Sequence, residues 1–227
     1  MKTFVEKFLV LAAVAMCLAA SPLSAVAALG GKPEFEADDG GASEDQPLYA
    51  DDDIQAEAAY NLAIKYYQEG NIRRAVKWFR KASELGHAPA QAQLGYAYEK
   101  GEGIEQDYAA AHEWYQRSAG QKDREALCGL GRLYAAGHGV EKDEATAAKF
   151  FKAAAEQGSA DAQYELGMLY MTGKGVGQND EDAFFWLSLA ARETDAAMEP
   201  RDDVETRLTK GQREGLWLML KNWQPAK

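Results

Sequence analysis

Side chains able to do chemistry are few in this sequence and scattered. The three histidines are His87, His112 and His138; they fall at a helix end, on a helix and in a glycine turn. No H-E-x-x-H or paired-cysteine spacing accompanies them, so no metal site is expected. The two cysteines are Cys17 and Cys128. A nucleophilic Cys128 would need a base beside it, and no histidine stands in a fixed relation to it. Gly173-Lys174-Gly175-Val176-Gly177 invites a phosphate-loop reading, but it lacks the Gly-Lys-Ser/Thr ending and follows no strand. No serine has a lysine three positions later and no G-x-S-x-G occurs, which removes the common serine nucleophiles. Carboxylates are numerous, yet glycosidase chemistry needs two that face one cleft, and spacing does not single out such a pair. No catalytic, cofactor-binding or metal-ligating residue is therefore assigned, and no polar cluster departing from the repeat is visible.

The elements that carry these residues recur with a period of 36. Leu94, Leu130 and Leu166 keep it, as do Gly95, Gly131 and Gly167, and Tyr98, Tyr134 and Tyr170. The columns Gly101/Gly137/Gly173, Gly103/Gly139/Gly175, Trp114/Phe150/Trp186 and Ala119/Ala155/Ala191 share the register. Each unit reads as an A helix, a Gly-x-Gly turn plugged by Ile104, Val140 or Val176, and a B helix. Asp107, Asp143 and Asn179 stand where the B helix needs an N-cap. Gly86 and Gly158 stop B helices. The unit 56–87 is four residues shorter, with Gly70-Asn71 in place of the turn and Asn71 as the cap. One such hairpin cannot bury its apolar face alone, so the units are expected to stack.

The A-x-A-Q-x-x-L-G-x-x-Y pattern, the G-x-G-[IV] turn, the Asp or Asn cap and the aromatic-Ala-Ala helix together resemble the Sel-1-like repeat, of the tetratricopeptide-like helical group. The resemblance covers 88–195 strongly, while 56–87 looks more like a plain tetratricopeptide repeat. It implies an all-α, right-handed α/α superhelical solenoid of helix-turn-helix repeats, and an adaptor or scaffold that is not an enzyme and holds no cofactor. One disulfide-rich subgroup is linked to β-lactam binding, and this chain departs from it in lacking paired cysteines. An envelope enzyme acting on cell-wall or β-lactam substrates, or a structural part of an envelope complex, is the alternative. The domain plan is a signal peptide at 1–27, an acidic disordered linker at 28–53, repeats 56–87, 88–123, 124–159 and 160–195 within 54–195, and a partial repeat with a capping helix at 196–227.

The expected partner surface is the concave side, which A helices line in such solenoids. Positions five, nine and twelve of each A helix share a face. They read Tyr60, Ile64 and Tyr67, then Ala92, Tyr96 and Glu99, then Cys128, Arg132 and Ala135, then Tyr164, Met168 and Met171. Tyr96, Arg132, Tyr164 and Met168 are the candidate partner-binding residues, for a protein or peptide not identified by sequence. Tyr, Met and Arg are types enriched at interfaces.

The formal net charge of -11 disfavours nucleic acid, which needs clustered Lys and Arg. About -8 of it lies in residues 28–53, leaving about -4 for 54–227. Residues 1–27 read as an address. Lys2 and Lys7 precede an uncharged run from Phe8 to Ala20, Pro22 ends it, and Ala25-Val26-Ala27 gives an A-x-A cleavage signal. Cleavage near Ala27 would leave a periplasmic or secreted chain, in an assumed bacterial context. That mature chain would hold no integral membrane span and no internal disulfide.

Overall fold

The computed structural model describes residues 51–226. Helix α1 (Asp52–Gln68) pairs with α2 (Ile72–Glu84). The next hairpins are α3 (Ala88–Lys100) with α4 (Tyr108–Ala119), α5 (Arg124–Ala136) with α6 (Glu144–Glu156), and α7 (Ala160–Thr172) with α8 (Asp180–Ala190). A 3-10 turn (Asp195–Ala197) leads to α9 (Met198–Arg207) and α10 (Lys210–Asn222). Among the described residues there is no strand. The signal peptide and most of the acidic linker lie outside the described residues.

Local chemistry sets the boundaries. Asp107, Asp143 and Asn179 each accept two backbone N–H groups at the start of their B helices, as the spacing predicts. Asn71 does the same for Arg74 N–H at 3.3 Å. Thr209 and Gln212 form a reciprocal capping box that opens α10. One boundary differs from the sequence reading. Asp51 to Asp53 were expected in the spacer, but Asp51 caps α1, accepting from Asp53 N–H at 3.1 Å. Carboxylates in the first turn favour the positive end of a helix, so this acidic run starts α1.

Packing explains the glycine columns. A Cβ added at Gly95 would lie 2.8 Å from the Tyr115 ring, one at Gly131 2.6 Å from Phe151, and one at Gly167 2.7 Å from Leu187. Each A helix therefore presses its backbone on the large residue of its own B helix. The second glycine of each turn has a different job. Cβ atoms at Gly103 and Gly139 would strike Ile72 and the backbone of Tyr108, and one at Gly175 would strike Glu144. Those three positions open the B helix of the preceding unit, so the turn column is a contact between neighbouring units. Gly101, Gly137 and Gly173 end the A helices in the left-handed region.

The core runs along the stack in linked clusters. Ala59, Ala63, Ala75 and Phe79 fill the first hairpin. Leu94 and Ala97 meet Val76 at the next junction. Ala111, Tyr115, Leu130 and Leu133 join the second and third units. The last cluster extends from Phe151 and Leu166 through Phe184 and Leu187 to Val204, Leu208, Leu216 and Leu220. Helices α9 and α10 thus close the end of the array, and Pro200 sits in the first turn of α9, where a missing N–H does no harm. The tail returns to the third unit: Ala226 N–H donates to Glu156 O at 2.7 Å.

Candidate functional site

The A helices of the second and third units, α3 and α5, also touch each other, in addition to the contacts between successive helices. The A side is therefore the crowded side of this junction. The positions five, nine and twelve divide there into three kinds. Ala92, Glu99 and Cys128 are buried and offer no contact surface. Tyr60, Ile64, Tyr67, Tyr96, Ala135, Tyr164, Met168 and Met171 are half-buried, with one flank on the core and the other in solvent. Arg132 forms the third kind, because its charge is already spoken for.

Arg132 reaches back across the junction to Glu99. Its Nε donates to Glu99 Oε1 at 3.2 Å and its Nη2 to Oε2 at 2.9 Å, a bidentate pair. Tyr115 Oη donates to Glu99 Oε2 at 2.8 Å, and Lys100 Nζ to Oε1 at 2.7 Å. Arg132 Nη2 also donates to Tyr115 Oη at 3.4 Å, and Nη1 to Cys128 Sγ at 3.4 Å. Glu99 is 6% exposed and the Arg132 side chain 29%. Burial pushes the Glu99 carboxyl up, but the hydrogen bond and charge of Arg132, with Lys100 and Tyr115, hold it down at about 2. Burial opposes the Arg132 charge, and Glu99 more than offsets that, so the guanidinium is cationic throughout the ordinary range. Burial pushes the Cys128 thiol up to about 12, which leaves it protonated and a poor nucleophile.

This cluster corrects the sequence reading, in which Glu99 and Arg132 are single polar points and no polar cluster departs from the repeat. Glu99 replaces what is Ala135 and Met171 in the later units; Arg132 stands where others have Tyr96 and Met168; Tyr115 adds a hydroxyl to the Phe79 and Phe151 column. Each departure looked isolated in sequence, because Glu99 and Arg132 are 33 residues apart and on different helices. The signal was available as three breaks in period that all fall at one junction.

Beside the pair an open cleft of 460 Å³ is lined by Arg132, Leu133, Ala135, Phe151 and Glu165, among others. Burial raises the Glu165 carboxyl, with Arg132 working against it. Tyr96 lies outside the lining of the cleft, with the Lys100 ammonium 5.7 Å from its ring centre. Tyr164 and Met168 pack on the core of the third and fourth units. The structure thus brings Arg132 and Glu165 to one cleft, and leaves Tyr96 on one side of the junction and Tyr164 and Met168 on the other.

The remaining chemical residues are dispersed. His87 caps α3 through Nδ1 and meets Glu57 Oε2 at 3.0 Å through Nε2. His138 is exposed and stacks on Tyr108 with ring centres 4.4 Å apart. Burial lowers the His112 pKa. Among the described residues no group of three His, Cys, Asp or Glu side chains converges for a metal ion. Gly173 to Gly177 is the third copy of the turn between A and B helices and is followed by the cap of α8.

Comparison with known proteins accounts for this architecture. The Sel1 repeat family model matches residues 56–87, 88–123, 124–159 and 160–195, more than half of the chain, and the shorter first unit is among the matches. A protective antigen of uropathogenic Escherichia coli with an SLR fold is similar at 34% identity and a TM-score of 0.68, covering 74% of this chain and 38% of that one. The chain therefore spans well under half the length of that antigen. A Sel1 repeat protein from Oxalobacter formigenes is similar at 30% identity and a TM-score of 0.62, covering 76% of this chain and 72% of the other. No curated protein matches the chain.

Proposed function

Because this chain belongs to the Sel1 repeat family, we propose that it is an exported, non-catalytic adaptor that holds a protein or peptide segment along its A-helix side. Sel1-repeat solenoids generally mediate protein–protein interaction and are generally non-catalytic scaffolds. The observation that supports the finer reading is that Tyr96, Tyr164 and Met168, on the A helices of the second and fourth units, are all half-buried against the core. Each of these side chains is anchored on the core and presents apolar surface at little further entropic cost, which is how interface anchors behave. Arg132 has a separate task. Four of its five N–H groups are engaged by Glu99, Tyr115 and Cys128, which leaves one donor on Nη1. That donor is fixed in place and its charge is balanced, so it suits a neutral acceptor such as a peptide carbonyl better than a carboxylate.

The test is affinity capture from an envelope extract, followed by binding measurements with the captured partner. Tyr96→Ala with Tyr164→Ala should weaken binding by roughly 2 kcal/mol or more if these are anchors. Unchanged affinity in a folded double variant would move the site to the B helices or the C-terminal end. Arg132 is unsuited to simple truncation, because removing it strands Glu99. Export is tested by the N-terminus of the native protein, taken up in the Discussion.

A further inference from the structure

The outer face of α10 turns large apolar side chains to solvent, uncovered by any other described element. Leu216 and Leu220 point into the core, but the three residues between them are exposed: Trp217 at 51%, Leu218 at 63% and Met219 at 58%. Leu218 is centred on the side opposite the buried pair. On one flank of it stand Glu214 and Lys221, seven residues apart and so on the same line of the helix, with the exposed Lys210 ammonium 3.8 Å from Glu214 one turn back. On the other flank lie Gly211 and Gly215, both helical, with no atom within 4 Å of the place a Cβ would occupy. Nothing within the chain requires glycine at 215, and an interior glycine weakens an exposed helix. A flat glycine strip beside a leucine does admit the backbone of another helix closely.

We propose that α10 is a self-association surface, on which a second copy of this chain docks its own α10 antiparallel. The charge pattern selects that occupant. A two-fold axis between residues 217 and 218 sets each Glu214 against the Lys221 of the other copy, twice per interface, with the two Leu218 side chains meeting at the centre. A parallel arrangement would oppose like charges, Glu214 to Glu214 and Lys221 to Lys221. One helix pair is small by the standard of stable dimers, so the association is weak and concentration-dependent. It leaves the A-helix side of the second and third units free, and so is independent of the adaptor reading.

Sedimentation equilibrium of the chain from about 1 to 500 μM should show the mean mass rising from that of a monomer toward twice that value. Leu218→Asp should weaken the association at least tenfold, with helix content and Tm unchanged because residue 218 is exposed. Glu214→Lys and Lys221→Glu should each weaken it several-fold, since like charges then meet. An equimolar mixture of these two variants should recover the association, because every cross-helix pair is again opposite in sign. A chain that stays monomeric at 500 μM overturns the proposal, as does a mixture no better than its separate components. Monomeric binding of the patch to phosphatidylcholine vesicles, lost in Leu218→Asp, would overturn it in favour of a lipid surface.

Discussion

Gly131 shows how little room single positions have. A Cβ there would meet the Phe151 ring at 2.6 Å, and Phe151 is 1% exposed. Gly131→Val should therefore lower stability by about 1–3 kcal/mol in urea unfolding; an unchanged midpoint would mean the ring can step aside. Lys122 is the opposite case. It holds φ of 65° where the other units place Gly86 and Gly158 in the same register. Lys122→Gly should raise stability by about 1 kcal/mol, read from the same denaturation curve. Glu99 carries a pH dependence. Its folded pKa, near 2, lies below the value of about 4.3 of an unfolded glutamate. A depressed carboxylate adds stability that is complete above the unfolded value and disappears as pH falls through the folded one. The urea midpoint should accordingly drop between about pH 5 and about pH 2, and Glu99→Gln should flatten that drop.

At the scale of the element, caps and turns decide where each helix starts. Asp143 accepts from Ala145 N–H and Thr146 N–H, both at 3.0 Å, so Asp143→Ala should reduce stability by about 1 kcal/mol. The same substitution at exposed Glu141, which neither caps nor packs, gives the baseline, and equal effects would show that the cap contributes nothing. The second glycine of each turn belongs to this scale too. Gly175 fits against Glu144 of the preceding unit, so the turn ties successive hairpins together as well as reversing the chain. Helices α9 and α10 are held by four aliphatic residues, Val204, Leu208, Leu216 and Leu220, which fill the place of a further repeat.

The whole molecule behaves as a row of hairpins whose stability is the sum of unit and neighbour terms. The Glu99–Arg132 pair belongs to one neighbour term, between the second and third units. Removing one partner of a buried pair is strongly destabilising, by about 3–5 kcal/mol, because the other charge remains. Partial exposure of Arg132 puts this pair toward the lower end. Glu99→Ala should therefore uncouple the array, giving two unfolding steps in calorimetry where the parent shows one. A single step of lower Tm would show that the other junction contacts suffice for cooperativity. Among the described residues no helix is long and apolar enough to cross a membrane. For the export proposal, mass spectrometry of the native protein should find its N-terminus near Ala28; a cytoplasmic chain retaining residues 1–27 would overturn it.

The repeat period, helical spacing and caps were legible in the sequence because they follow from local chemistry. Asp143 must cap and Gly137 must turn in every unit that carries the pattern. Small residues such as Gly131 and Gly167 announce close packing by their type alone. Helical spacing also puts Tyr96, Arg132 and Met168 in one column of the repeat, with Tyr164 one turn before Met168. What no local rule contains is the distance between units. Only stacking brings Arg132 to Glu99 and Tyr115 and turns an apparent contact residue into a clasped one. Only the docking of α9 and α10 decides which side of the last helix is covered, burying Leu216 and Leu220 and leaving Trp217 and Leu218 outside. Side-chain type and spacing fix what a residue is able to do, and the neighbouring unit fixes which of its groups remain unengaged.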